Sequence, residues 1–116
     1  MNVGIDFDDT ITHNPVFFKK LTASLSKGGN KIFIISSYTK ADKLIVGRIF
    51  DEKTKKLKKW GIAYNKLELV SEPIPRNKAI ACKNHNIQFI IDNAIENLNK
   101  IKDAAKGTVC LHYINR

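Results

Sequence analysis

No stretch of this chain approaches the roughly 18 consecutive apolar residues of a membrane span. No basic-then-apolar leader precedes the first strand-like segment either, so a cytoplasmic location is expected. Cysteine is scarce: Cys82 and Cys110 are the only two, and their spacing is not that of a metal-binding pair. Both read as small core fillers in a reducing compartment. Arginine is scarce as well, with Arg48, Arg76 and Arg116 the only three among 20 basic residues. The planar fork that reads guanine edges is therefore nearly missing, which argues against sequence-specific nucleic-acid reading. Internal repeats, linkers and low-complexity tracts are absent.

Lysine and aliphatic residues are plentiful. The formal charge is +9 over 116 residues, and 43% of the chain is hydrophobic. A chain of this size buries roughly two-thirds of its unfolded surface, enough for one domain over residues 1–116 without disulfides. The charge fits attraction to polyanions or phosphorylated ligands. It fits equally a compositional bias toward Lys, Asn and Ile on a solvated surface.

Residues 2–7 read as a first strand. Asn14-Pro15 is a helix start, an N-cap followed by proline at the first helical position. Phe18, Leu21 and Leu25 continue it at helical spacing, and Gly28-Gly29 ends it. Residues 31–35 form a near-continuous apolar run, as in a parallel strand covered on both faces, ending in Ser36-Ser37. Helical periodicity runs over residues 40–60 (Leu44, Ile45, Ile49, Leu57, Trp60), with a break expected near Asp51–Thr54. The lysine-rich run from Lys53 to Lys59 reads as a solvated helix face. Residues 66–70 alternate like a third strand, and Pro73 and Pro75 hold the following connection extended. A helix over 77–85, a strand over 87–91, a helix over 94–105 and a strand over 109–112 complete the pattern. This predicts an α/β fold: a doubly wound, Rossmann-like open parallel sheet of about five strands flanked by helices.

The polar residues converge. Asp6 and Asp8, Ser36, and Asp92 each stand at or just past the carboxyl end of an apolar strand, where open parallel sheets bind ligands. Asp6, Asp8 and Asp9 would repel one another unless a cation sits among them, so they read either as a metal-binding cluster or as a solvated acidic turn. Lys78 lies where it can bring an ammonium to the same edge. Such groups suit phosphoryl chemistry: a carboxylate nucleophile, a second carboxylate as acid and base, a third for an oxygen-rich Mg²⁺ site, and a hydroxyl and a lysine against the phosphoryl oxygens.

The order Asp-x-Asp-x-Thr after the first strand, Ser after the second, a following Lys and a late Asp resembles the haloacid dehalogenase superfamily. The resemblance runs from Val3 to about His112. It implies a capless phosphatase-like domain: a Mg²⁺-dependent phosphomonoester hydrolase working through an aspartyl-phosphate. By that resemblance Asp6 is nucleophile and metal ligand, Asp8 is acid/base and metal ligand, and Asp92 is the remaining metal ligand. Ser36 and Lys78 complete the catalytic set, and Phe7, Asp9, Thr10, Ser36, Ser37 and Lys78 surround the substrate. The expected partner is a nucleotide, a phosphorylated nucleic-acid end or another phosphomonoester, with no membrane involved; a capless member implies either an open site that admits large substrates or a lid supplied by a second copy of the chain. A response-regulator receiver is set aside because Lys78 precedes the last aspartate. The pattern is departed from at Asp9, where glycine is commonest, at Asn93, where a second aspartate often stands, and at Tyr38, where some relatives carry Arg. Arg76 and Lys83 are alternatives to Lys78, and Glu96 is a further acid within reach of Asp92. A non-catalytic basic module that binds nucleic acid or another polyanion is the alternative function.

Overall fold

The computed structural model describes all 116 residues. Five strands alternate with four helices: β1 (Asn2–Ile5), α1 (Pro15–Lys27), β2 (Lys31–Ser37), α2 (Val46–Lys59), β3 (Lys66–Val70), α3 (Ile74–Asn84), β4 (Phe89–Asp92), α4 (Ile95–Ala104) and β5 (Val109–His112). All neighbouring strands pair parallel, in the order β3-β2-β1-β4-β5. The chain winds outward through β2 and β3, then returns to place β4 on the other side of β1. Strand order therefore reverses between β1 and β4, and the crevice outside their carboxyl ends is where such folds hold ligands.

Alternation in the strands builds a core on each face. Val3, Ile5, Ile32, Ile34 and Leu67 pack with Phe18 of α1 and Leu57 of α2. Ile35, Val70 and Ile90 pack on the other face with Ala79 and Cys82 of α3 and Leu98 and Ile101 of α4. Gly4 leaves room where β1 meets the second core, since a Cβ there would come within 3.2 Å of the Ile87 and Ile90 side chains and both would have to give way. Cys82 and Cys110 are free thiols, the first buried. No helix is long and apolar enough to cross a membrane.

The doubly wound prediction holds, and several boundaries move. β1 stops at Ile5, because the chain turns into the acidic loop; its ladder closes with the Asp6 N–H donating to the Ile91 carbonyl at 2.9 Å. The Asn14 side chain accepts from the Phe17 N–H at 3.1 Å with Pro15 in the first turn, as the sequence predicts. α3 begins at Ile74, not 77, since Pro75 falls in its first turn, where its missing N–H costs nothing. β4 begins at Phe89 because the Ile87 N–H is taken by the Cys82 carbonyl at the end of α3.

The largest shift is in residues 40–60. α2 runs unbroken through 51–54, and the break falls earlier, at a 3₁₀ segment, Lys40–Ile45. There the Asp42 carboxylate accepts from the Thr39 hydroxyl at 3.0 Å and turns the chain before α2 begins. Leu44 is 98% exposed and Ile45 and Phe50 are exposed, so these three are not core, whereas Leu57 is. Leu57→Ala, which empties a fully buried site, should therefore cost about 2–5 kcal/mol in urea unfolding. Leu44→Ala should change stability by no more than about 0.5 kcal/mol. Equal losses at the two positions would contradict this packing.

Candidate functional site

Two linked clusters occupy the carboxyl edge. The first lies at the crevice between β1 and β4. Lys78 sits on the inner face of α3, one turn before buried Cys82, and its ammonium donates to Asp6 Oδ1 at 2.6 Å and to Asp92 Oδ2 at 2.8 Å. All three side chains are almost wholly buried. Asp92 Oδ1 accepts from the Ala94 N–H at 2.9 Å, and Oδ2 also accepts from Asn97 Nδ2 at 3.3 Å. Asp6 Oδ2 accepts from the Thr10 hydroxyl at 3.0 Å and from the Asn93 amide at 2.8 Å; the same amide reaches the Asp8 carbonyl at 3.2 Å.

The second cluster joins the acidic loop to β2 and α2. Lys53 donates to Asp8 Oδ2 at 2.9 Å and to the Ser36 hydroxyl, which itself lies 3.4 Å from Asp8 Oδ2. Its ammonium also stands 4.8 Å from the centre of the Phe7 ring. Hydrogen bonds to the Asp8 carboxylate fall on Oδ2 alone, and its side chain is 58% exposed. The loop is shaped by one tight turn, Phe7–Ile11, in which Asp9 takes a left-handed conformation with φ 61°. Asp9 tolerates it because its N–H is held by the Thr12 hydroxyl and its carbonyl by Asn115, both at 2.9 Å.

A cavity of about 350 Å³ opens over the first cluster, lined among others by Asp6, Asp8, Asp9, Ser37, Lys78 and Glu96. Most of the residues singled out in the sequence are thus brought together: Asp6, Asp8, Asp9, Thr10, Ser36, Ser37, Lys78 and Asp92. Phe7 is not available through its side chain, which is buried and stacked on Trp60 at 6.1 Å. Of the three basic candidates only Lys78 reaches Asp6 and Asp92; Arg76 is exposed, and Lys83 lines a separate cavity of about 370 Å³ with Gln88 and Thr108. His13 is bound to the Tyr113 hydroxyl at 2.7 Å and takes no part.

The expected metal set of Asp6, Asp8 and Asp92 is not gathered around one point, and no three His, Cys, Asp or Glu side chains stand ready as a metal cage. Lys78 holds the space between Asp6 and Asp92, and Lys53 holds Asp8. Lys53 itself was misread as part of a solvated face. The usable signal was its position four residues before Leu57, which puts it on the buried stripe of α2.

Burial dominates the electrostatics. It pushes the Asp6 carboxyl up from 3.8 to about 6, with Asp92 adding to the rise and Lys78 opposing it. Burial acts to lower Lys78, but attraction to Asp6 and Asp92 outweighs it and leaves the ammonium above its ordinary value. Folding therefore takes up a proton at Asp6 between pH 3.8 and about 6. The corresponding stability is full below the ordinary carboxyl value and is lost as pH rises through the folded one. The wild-type melting temperature should accordingly fall relative to that of Asp6→Asn as pH rises from about 4 to about 6.5. Parallel curves would remove Asp6 from the buried cluster.

Searches for related proteins return the fold without a family. No family model matches this chain, and no curated protein matches it. Solved structures do match. A universal stress protein in complex with cAMP aligns at TM-score 0.65 and 12% identity over 100% of this chain and 98% of its own. A universal stress protein from Archaeoglobus fulgidus aligns at TM-score 0.58 and 12% identity over 95% and 97%. A chain of the Pnkp1/Rnl/Hen1 RNA repair complex aligns at TM-score 0.64 and 16% identity over 97% of this chain but only 42% of its own. At these identities the likeness shows the fold alone.

These findings correct the assignment to the haloacid dehalogenase superfamily. The universal stress proteins share the architecture across their whole length, and no family model supports the phosphatase reading. The expectations of a phosphomonoester hydrolase, an aspartyl-phosphate and that superfamily's domain are withdrawn. The physical reason is that any doubly wound sheet delivers the ends of β1, β2 and β4 to one edge, so polar residues after those strands are a property of the architecture. Their order in the chain does not by itself distinguish a family. What stands is an α/β domain with a five-stranded all-parallel sheet flanked by helices.

Proposed function

We propose that this protein binds a phosphate-bearing small ligand, a nucleotide, together with Mg²⁺ at the carboxyl edge of its sheet. The observation that carries this reading is a charge mismatch. The protein has a net charge of +9, yet the cavity at the switch point is lined by Asp6, Asp8, Asp9 and Glu96 against a single lysine, Lys78. A general positive field draws anions in, while a carboxylate-rich cavity admits a phosphate only with a cation. Mg²⁺ characteristically uses one or two carboxylates plus phosphate oxygens and water, so no all-protein cage is needed. The hard oxygen donor for it is the exposed carboxylate of Asp8, which has Oδ1 free of protein hydrogen bonds. When bound, Mg²⁺ supplies charge neutralisation between carboxylate and phosphate.

Protein groups do the rest. Lys78 is fixed by two buried carboxylates and presents a permanent positive charge at the cavity floor. The Ser36 hydroxyl and Lys53 flank Asp8 and are able to exchange that contact for a phosphate oxygen. A nucleotide complex in a universal stress protein of the same fold, which holds cAMP, supports the ligand class. Isothermal titration with AMP in the presence and absence of Mg²⁺ tests the reading. Binding that requires or is strengthened at least about tenfold by Mg²⁺ is the expected result. No binding under either condition would overturn it.

A further inference from the structure

Beside the acidic cavity lies another of about 220 Å³, lined by Tyr38, Lys40, Lys43, Ser71 and Glu72. Its walls continue those of the first. Ser37 lines the acidic cavity and Tyr38 the second; Ile74 lines the first and Glu72 the second. The two walls are held together by the sheet, since Ser37 pairs with Val70 and the Tyr38 N–H donates to the Val70 carbonyl at 3.0 Å. Both cavities therefore open at the carboxyl edge, over β1–β4 and over β2–β3.

The lining of the second cavity is chemically unspent. Lys40, Lys43 and Glu72 line one space, yet none forms an ion pair, and all the ion pairs of the protein lie elsewhere. Tyr38 is half-buried and lines the cavity just past the end of β2. An aromatic face offers stacking to a base. A carboxylate accepts from sugar hydroxyls, and two ammonium groups neutralise a further phosphate.

We infer that this second cavity is the nucleoside subsite of the ligand whose phosphate and Mg²⁺ occupy the first, with the base on Tyr38, the sugar at Glu72 and a second phosphate between Lys40 and Lys43. The inference rests on the reading above and narrows it from a nucleotide in general to one that carries phosphates on both sides of one sugar. The chemistry of that ligand is a nucleoside 3′,5′-bisphosphate, the unit found at the end of a nucleic-acid strand. Such a subsite needs no sequence reading, because stacking and point charges do not distinguish bases.

Titrations of inorganic phosphate, AMP and adenosine 3′,5′-bisphosphate, each with Mg²⁺, test it on the full chain. The expected affinity order is phosphate weakest, AMP at least about tenfold tighter, and the bisphosphate tighter again with a steeper salt dependence. Tyr38→Ala should lower AMP affinity about tenfold and leave inorganic phosphate unchanged. Lys40→Ala combined with Lys43→Ala should remove the bisphosphate preference while sparing AMP. Both sites are half-buried or exposed, and circular dichroism with the retained phosphate binding reports that the variants are folded. Equal affinity for all three ligands, or a Tyr38→Ala loss shared by inorganic phosphate, would overturn the subsite while leaving the phosphate site standing. Absence of binding by all three would overturn both.

Discussion

Lys78→Met should destabilise the protein by about 3–5 kcal/mol near pH 8, the cost of leaving buried carboxylates without their partner. The ammonium bridges Asp6 and Asp92, and no other cation reaches either acid. Methionine fills similar space, so the loss reports charge and not a cavity. The deficit should shrink toward pH 5, because Asp6 titrates at about 6 and can be neutralised by a proton instead. Urea unfolding at the two pH values measures both. A loss under about 1 kcal/mol, or one independent of pH, would show that Lys78 is not what makes the buried pair of acids tolerable. The same substitution removes the fixed cation of the acidic cavity, so nucleotide affinity should fall with it.

Asp8→Asn should act on the ligand and scarcely on the fold. The Asp8 side chain is 58% exposed and its ion pair with Lys53 is solvent-screened, so little stability depends on it. Asparagine keeps an oxygen for Lys53 and Ser36 but loses the charge that attracts Mg²⁺. The expected result is a melting temperature near that of the wild type and an at least about tenfold loss of the Mg²⁺-dependent gain in AMP affinity. An unchanged gain would move the cation away from Asp8.

The sheet was legible because its strands are nearly continuous apolar runs of the length a covered parallel strand needs. The four residues Ile32–Ile35 predict β2, and alternation at 66–70 predicts β3 to the residue. The edge was legible too, since Asp6, Ser36 and Asp92 stand directly after such runs. Residues 40–50 were not legible. Ile45 has helical spacing with Ile49, but periodicity does not say whether an apolar residue finds a partner, and Leu44 and Ile45 are left exposed. Lys53 was obscured for the opposite reason. Within a lysine-rich run its charge suggested solvent, whereas its register with Leu57 turns it inward to Asp8 and Ser36. The motif order is no family mark, because the strand ends of this architecture bring polar residues to one edge in general. Asp9 and Asn93 were the residues at which the pattern already failed, and Asn93 proves to be a hydrogen-bond donor between Asp6 and Asp8 and not an acid.

The central claim is the place of the ligand, and backbone amide shifts in a nitrogen-15 NMR titration with AMP and Mg²⁺ test it most directly. The account predicts that the largest shifts cluster at residues 7–10, 36–38 and 93–94, around the carboxyl edge. Shifts confined to residues 83–88 and 104–108, which border the cavity on the other side of the molecule, would contradict it.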